Sequence, residues 1–216
     1  MVSLPQDRRD RLAAYVELLL SANRSVNLTA ARTPEAVWEH IEDSLTVAPY
    51  IAKGELVDVG SGGGFPAIPL AIVCEVRVTL IEAVAKKAAF LRSALTELGL
   101  EGEILVGRAE TIAHEAAYRE RFATATARAV ASAPAVLEFT LPLLRVGGRA
   151  VLQRGRMGEV ELRAVEAASP MLGGGPPVET ALEGEHRLLV IEKLAMTPVR
   201  FPRRVGVPQR KPLCFT

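Results

Sequence analysis

The stretch ELVDVGSGGGFPAIPLAI, Glu55–Ile72, decides the fold. Leu56, Val57 and Val59 read as the end of a buried strand, Gly60 to Gly64 as a turn nearly bare of side chains, and Phe65 onward as the opening of a short helix. Glycine accepts positive φ and has no Cβ to hold a ligand away from the backbone, and a helix start presents N–H groups without intrahelical partners. A strand, a glycine turn and a helix in this order make a place where a sugar, carboxylate or phosphate lies against main chain.

Downstream of Glu55, strand-like and helix-like runs alternate. RVTLIE precedes AVAKKAAFLRSALTELGL, GEILVG precedes AETIAHEAAYRE, FATATARAV precedes APAVLEFTLPLL, and GGRAVLQRG precedes GEVELRAVEAAS. Such alternation predicts crossover units on a mostly parallel α/β sheet with helices on both faces. PVETALE and HRLLVIEKL are separated only by a short turn around Gly184, which predicts an antiparallel hairpin at the C-terminal edge. Upstream, Ser3 to Gln6 carries a capping-box pattern, and Leu12, Tyr15, Val16 and Leu19 recur at helical spacing. A polar loop, ANRSVNLTAART, leads to a second helix with Thr33 and Pro34 as N-cap and first residue, and with Val37, Trp38, Ile41 and Leu45 on one stripe. The expected division is an N-terminal helical extension over 1–54, an α/β domain over 55–196 and a basic, proline-rich tail over 197–216.

At 216 residues, 49% of them hydrophobic, the chain can bury a full core. No charge-free apolar run approaches a membrane span and the N-terminus lacks a signal-peptide core, so a soluble cytoplasmic protein without a membrane partner is expected. Cys74 and Cys214 form neither a metal-ligand spacing nor a disulfide framework, so no metal is expected and the compartment is reducing. The net charge of +1 hides an asymmetry: the tail carries Arg200, Arg203, Arg204, Arg210 and Lys211 and no acid, leaving the body mildly acidic. A local basic strip suits a phosphate backbone.

Ligands of an open α/β sheet lie beyond the carboxyl ends of the strands. A Walker loop needs Lys then Ser or Thr after its last glycine, and here Phe65 and Pro66 follow Gly64. A dinucleotide fingerprint places its third glycine where this chain has Phe65. The pattern present, Asp58-x-Gly60-x-Gly62-x-Gly64, resembles the first motif of the class I S-adenosylmethionine-dependent methyltransferases, with their Rossmann-like sheet. Glu82 ends the second strand, where a carboxylate accepts ribose hydroxyls of any adenosine cofactor, NAD included; Ala83 and Val84 follow it. Ala109 and Glu110 follow the third strand, at the adenine edge of such an enzyme.

NLTA at Asn27–Ala30, HIEDSL at His40–Leu45, the glycine stretch, KKAAFL at Lys86–Leu91, GRAE at Gly107–Glu110, ARAVA at Ala127–Ala131 and PRRVGVPQRKPL at Pro202–Leu213 run in order along the chain. Together they resemble the bacterial small-subunit rRNA guanine-N7 methyltransferases, also called glucose-inhibited division protein B. The resemblance implies methylation of a guanosine in the 530 loop of 16S rRNA, with the rRNA or the small ribosomal subunit as partner. It places Gly60, Phe65, Ala109, Glu110 and Arg128 at cofactor positions, beside Gly62, Gly64, Glu82, Ala83 and Val84. Where the family commonly shows lysine then glycine after the fifth strand, this chain has Arg154-Gly155. A planar fork there replaces a point charge.

Guanine N7 is a bare lone pair, so its methylation needs positioning rather than a general base. Consistently, ARAVASAPA after the fourth strand contains neither an Asn/Asp-Pro-Pro-aromatic motif for exocyclic amines nor a cysteine for pyrimidine C5. Arg128 and Arg154 are expected on the target side, anchoring the base or a phosphate. His40, Asp43 and Ser44 supply triad residue types, yet all fall on one helical face within about a turn, which favours a network joining that helix to the glycine loop. Asn27, His40, Arg203, Arg204, Arg210 and Lys211 are the expected RNA contacts. Alternatives are a methyltransferase of small molecules or proteins, an NAD-dependent oxidoreductase and a noncatalytic RNA-binding module.

Overall fold

The computed structural model describes residues 4–182 and 184–214. The chain runs α1 (Gln6–Val26), α2 (Pro34–Leu45), β1 (Leu56–Val59), α3 (Ala67–Cys74), β2 (Val78–Glu82), α4 (Ala85–Glu97), β3 (Gly102–Val106) and α5 (Ala109–Ile112). It continues through β4 (Phe122–Arg128), α6 (Ala133–Thr140), β5 (Leu144–Arg154), α7 (Glu159–Met171), β6 (Val178–Ala181), β7 (Arg187–Glu192) and α8 (Val207–Arg210). One seven-stranded sheet has the order β3-β2-β1-β4-β5-β7-β6. The first five strands of that order are parallel, and β7 lies antiparallel to both β5 and β6. This is the mostly parallel sheet with a hairpin edge that the alternation predicts.

All four residues of β1 are buried, as a central parallel strand covered on both faces requires. Val59 stands level with Ile81 of β2 and Ala127 of β4, so the glycine turn, Glu82 and Arg128 emerge at one sheet edge. The chain leaves β1 toward β2 on one side and later returns to β4 on the other. The crevice between β1 and β4 is therefore the switch point where open α/β sheets bind ligands.

One apolar core lies on each face of the sheet. On one, α1 and α2 contribute Leu12, Tyr15, Leu19, Val37 and Ile41 to the core that contains Ile68, Leu70 and Leu91 of α3 and α4. The helical extension is thus part of the main core. On the other, Val136, Leu137 and Phe139 of α6 meet Val165 of α7 and Phe201 of the tail. Thr33 caps α2 by accepting from Ala36 N–H at 3.3 Å, with Pro34 as first residue, as expected. Ser3, expected to cap α1, lies outside the described residues; Pro5 is the N-cap and makes no side-chain cap bond.

Two segments differ from expectation. AETIAHEAAYRE forms only one helical turn, because the segment after Ile112 proceeds by i,i+3 turns and receives the tail: Arg119 Nη1 donates to both Ala113 O and Phe201 O, and His114 Nε2 lies 2.8 Å from Pro202 O. The tail itself is docked, not a free strip. Thr197 N–H donates to Glu120 at 2.8 Å, Gly206 N–H to Glu110 at 2.9 Å, and Arg203 forks onto Glu138, which is fully buried. Lys193, also fully buried, bridges Glu120, Leu141 O and Thr197, and burial pulls its pKa down to about 8 despite the Glu120 carboxylate.

Candidate active site

The glycine turn has φ of +74° at Gly60, +55° at Gly62 and +103° at Gly64. A Cβ on Gly60 would sit 2.7 Å from Val130 Cγ2, whereas one on Gly62 would meet only Gly60 O, at 3.8 Å. Gly60 therefore lets the turn close against the segment after β4, and Gly62 faces open space. Tyr15, buried in α1, donates its hydroxyl to Gly63 O at 2.7 Å and holds the turn from below. Glu82 grips it from the side: Oε2 accepts from Gly62 N–H at 2.9 Å and Oε1 from Val84 N–H at 2.8 Å. Both oxygens keep further lone pairs for ribose hydroxyls. Ala83 and Val84 are exposed just beyond, and Ala109 is buried at the start of α5. Glu110 sits at that edge too, but its carboxylate faces the tail at Gly206, so any ligand contact there comes from main chain.

Below the turn, Asp58 is buried in β1. Its Oδ1 accepts from Thr126 Oγ1 at 2.7 Å, while Oδ2 is buried without a hydrogen-bond partner. Burial pushes the Asp58 pKa up to about 7, aided by the charge of Glu82 and opposed by bonds from Thr126 and Ser61. The folded value lies above the ordinary 3.8, so the folded state holds the proton more tightly. The stability this confers is complete below pH 3.8 and is lost as pH rises through about 7. Asp58→Asn is expected to flatten the pH dependence of unfolding free energy in that window by on the order of 2–4 kcal/mol, measured by urea denaturation of the cofactor-free protein. A slope equal to that of the parent would remove Asp58 as its source.

Beside the turn, Phe65 meets the edge of Tyr15 and of His40, each at 5.5 Å between centroids, and the Arg128 guanidinium lies 5.7 Å over its ring. Arg128 Nη1 pairs with Asp43 at 3.2 Å and Nη2 lies 3.0 Å from His40 Nδ1. An arginine only donates, so Nδ1 is the acceptor and the His40 ring proton sits on Nε2. Burial, with Arg128 close by, lowers the His40 pKa, which keeps the imidazole neutral. His186 of the β6–β7 hairpin reaches Asp43 from the other side, Nδ1 to Oδ1 at 3.1 Å. Ser44 is buried and donates to His40 O at 2.6 Å, a bond inside α2 that leaves no triad. His40 and Asp43 are networked as expected from HIEDSL, but their hydrogen bonds run to Arg128, His186 and Gln153 rather than to the glycine turn, which the helix meets only through the Phe65 ring.

A cavity of about 420 Å³ opens at the ends of β4 and β5, lined by Asp43, Arg128, Gln153, Arg154, His186 and the backbone of 129–131. Ala129 has φ of +52°, so the chain bends sharply straight after Arg128. Arg154 is held inward: Nη1 bonds Ala131 O and Nη2 pairs with Glu161 at 2.9 Å, while Glu161 also accepts from Ala133 N–H. It braces the cavity rim with its guanidinium ends, contrary to the expectation of a group free for the target. Arg203 departs similarly, since its fork lies on Glu138, whereas Arg204, Arg210 and Lys211 are exposed. Asn27 is exposed at the left-handed end of α1, in a loop fixed by Asn23, whose side chain bonds Leu28, Thr29 and Ala31. His186, Gln153 and Tyr15 carried no motif in the sequence; sheet order brings the first two to the site, and the packing of α1 on the sheet brings Tyr15.

The residues fit S-adenosylmethionine. A side-chain-free face at Gly62, a carboxylate fixed at the end of β2 and an unpartnered buried oxygen of Asp58 suit a ligand with a ribose and cationic centres. Among solved structures, an O-methyltransferase from Bacillus cereus in complex with SAH is 22% identical, with a TM-score of 0.59 over 89% of this chain and 94% of that one. A T. thermophilus 16S rRNA N2 methyltransferase in complex with AdoMet and guanosine is 20% identical, with a TM-score of 0.53 over 73% of this chain and 40% of that one. The sheet and its glycine turn have the class I S-adenosylmethionine-dependent methyltransferase fold.

A family profile described as GidB, rRNA small subunit methyltransferase G, matches residues 8–189. Ribosomal RNA small subunit methyltransferase G of Rubrobacter xylanophilus is 46% identical over 95% of this chain and 85% of its own length, and that of Trichormus variabilis 42% over 94% and 89%. The chain belongs to the rRNA small subunit methyltransferase G family. Among the described residues, no helix is long and apolar enough to cross a membrane.

Proposed function

We propose that the protein transfers a methyl group from S-adenosylmethionine to N7 of a guanosine in the 530 loop of 16S rRNA, in the cytoplasm, on the rRNA or the small ribosomal subunit. The observation that carries this reading is the polar cavity at the ends of β4 and β5, which shares Arg128 and the Val130 segment with the glycine turn. A base there and a cofactor on the turn are neighbours. When bound, the cofactor supplies an electrophilic methyl group on a sulfonium. The chain's own residues orient and exclude water: Gly60, Gly62 and Gly64 present main chain, Glu82 takes ribose, and Ala83, Val84, Ala109 and Glu110 border the adenine. Arg128 and Phe65 separate this half from the target pocket, with His40 behind them as a neutral support. Because N7 is a lone pair, no residue need remove a proton, and His40, whose Nδ1 already accepts from Arg128, is left as a support. Mass mapping of 16S rRNA from cells with and without the gene tests the assignment; an unmethylated 530-loop guanosine in both would end it.

The tail, packed on one face of the body 55–196, presents Arg204, Arg210 and Lys211 to solvent, and 1–54, packed on the other, presents Asn27; these are the proposed RNA contacts. Deleting the tail would strand buried Glu138, so charge removal is the cleaner test. Replacing Arg204, Arg210 and Lys211 together by glutamine is expected to flatten the log–log salt dependence of RNA affinity by about two to three units, at ~0.7–0.9 per phosphate contact. An unchanged slope would show that these cations do not meet phosphate.

A further inference from the structure

We propose that Asp43 tells guanine from other bases in this site, its carboxylate accepting from N1–H and the 2-amino group of the target; this rests on guanine N7 methylation as proposed above. Asp43 projects from α2 to the cavity, with 14% of its side chain exposed. It is held from two sides, by Arg128 Nη1 at 3.2 Å and by His186 Nδ1 at 3.1 Å. A carboxylate offers about four acceptor positions, so these contacts leave capacity for a ligand. Its main chain is pinned as well, because Asp43 O accepts from Gln153 Nε2 at 2.8 Å. That bond fixes which way the Gln153 amide points, and Gln153 Oε1 is left buried with no hydrogen-bond partner at the same cavity. Asp43 and Gln153 thus both line a space large enough for a base, and Gln153 carries a buried acceptor without a partner.

Guanine matches that arrangement. Its Watson–Crick edge carries three hydrogens on N1 and the 2-amino group; two suit the Asp43 carboxylate and the third suits Gln153 Oε1. Adenine presents an acceptor at N1 and meets a carboxylate unfavourably. The charge balance of the reaction points the same way. The N7 lone pair forms the new C–N bond, the C–S bonding pair returns to sulfur, and no proton leaves the base, so the positive charge passes from sulfonium to purine. Arg128 alone would oppose a cationic product. A carboxylate on the far edge offsets that charge as it develops.

The test compares kcat/KM on small subunits reconstituted with 16S rRNA carrying either guanosine or inosine at the target; inosine keeps N7, O6 and N1–H and lacks the 2-amino group. The parent protein is expected to prefer guanosine by about tenfold or more, on the scale of a good base contact. Asp43→Asn should shrink that preference to within about threefold, with folding verified by calorimetric binding of S-adenosylmethionine. Gln153→Met should reduce the same ratio, and it decides the matter if Asp43→Asn fails to bind the cofactor. A variant that binds the cofactor and loses rate equally on both substrates would reduce Asp43 to a support for Arg128 and overturn the proposal. Parent protein that methylates neither substrate would instead overturn the proposed function.

Discussion

Gly62→Val is expected to abolish measurable S-adenosylmethionine binding in calorimetry while the chain remains folded. Three glycines of the turn adopt positive φ, but they differ in what surrounds them. A Cβ on Gly64 would fall 2.5 Å from Ile68 Cδ1, and on Gly60 2.7 Å from Val130, so larger residues there collide with the protein itself. At Gly62 the first neighbour is 3.8 Å away, so a valine side chain enters the space over the turn rather than the core. The cost to folding is the backbone strain of a branched residue at φ of +55°, about 1–3 kcal/mol, which a domain with two full cores tolerates. The cost to binding is larger, because the isopropyl group occupies the surface that the cofactor needs as bare main chain. It also disturbs Gly62 N–H, the donor that fixes Glu82, so two contacts fail together. Binding retained near the parent affinity would show that the cofactor does not lie on this turn.

That turn was legible in the sequence because its signal is local. Positive φ, an apolar strand before it and an acid at the next strand end are written within Glu55–Glu82, and the structure brings them to one edge as the alternation implies. The helix caps and stripes of α1 and α2 were legible for the same reason. What the sequence concealed depends on partners far apart in the chain. Arg203 reads as one more basic residue of a basic tail until Glu138, on a helix whose residues are all buried, is found to require a counter-charge. Arg154 likewise reads as a target-side cation until Glu161 and Ala131 claim its fork. His186 gives no sign at all, since only the insertion of β7 between β5 and β6 brings that hairpin over Asp43. The cations of the site were therefore easier to nominate than to assign, because their roles are set by which acids the fold places opposite them.

Arg128 shows how much such pairing matters, and Arg128→Ala is expected to cut rRNA methylation by an order of magnitude or more, about 1–3 kcal/mol of lost contacts. The guanidinium is at once the partner of Asp43, the donor to His40 Nδ1 and the lid on Phe65. Without it Asp43 keeps only His186, and Phe65 loses the cation that holds its ring against the turn. Cofactor affinity and turnover should both fall, turnover more, since the cavity side depends on Arg128 for its shape. Arg154 acts one step further back. Arg154→Ala releases Ala131 O and Glu161 and should loosen the 129–133 rim, with a loss of similar order. Arg154→Lys keeps a cation that can still reach Glu161, so most activity should survive. Methylation rates of the three variants on the same subunits separate the cases. If Arg154→Lys is as inactive as Arg154→Ala, bridging two partners with one planar fork is the essential property; if both alanine variants methylate normally, the rim of β4 and β5 does not hold the target base, and the search moves to Asn27 and the exposed cations of the tail.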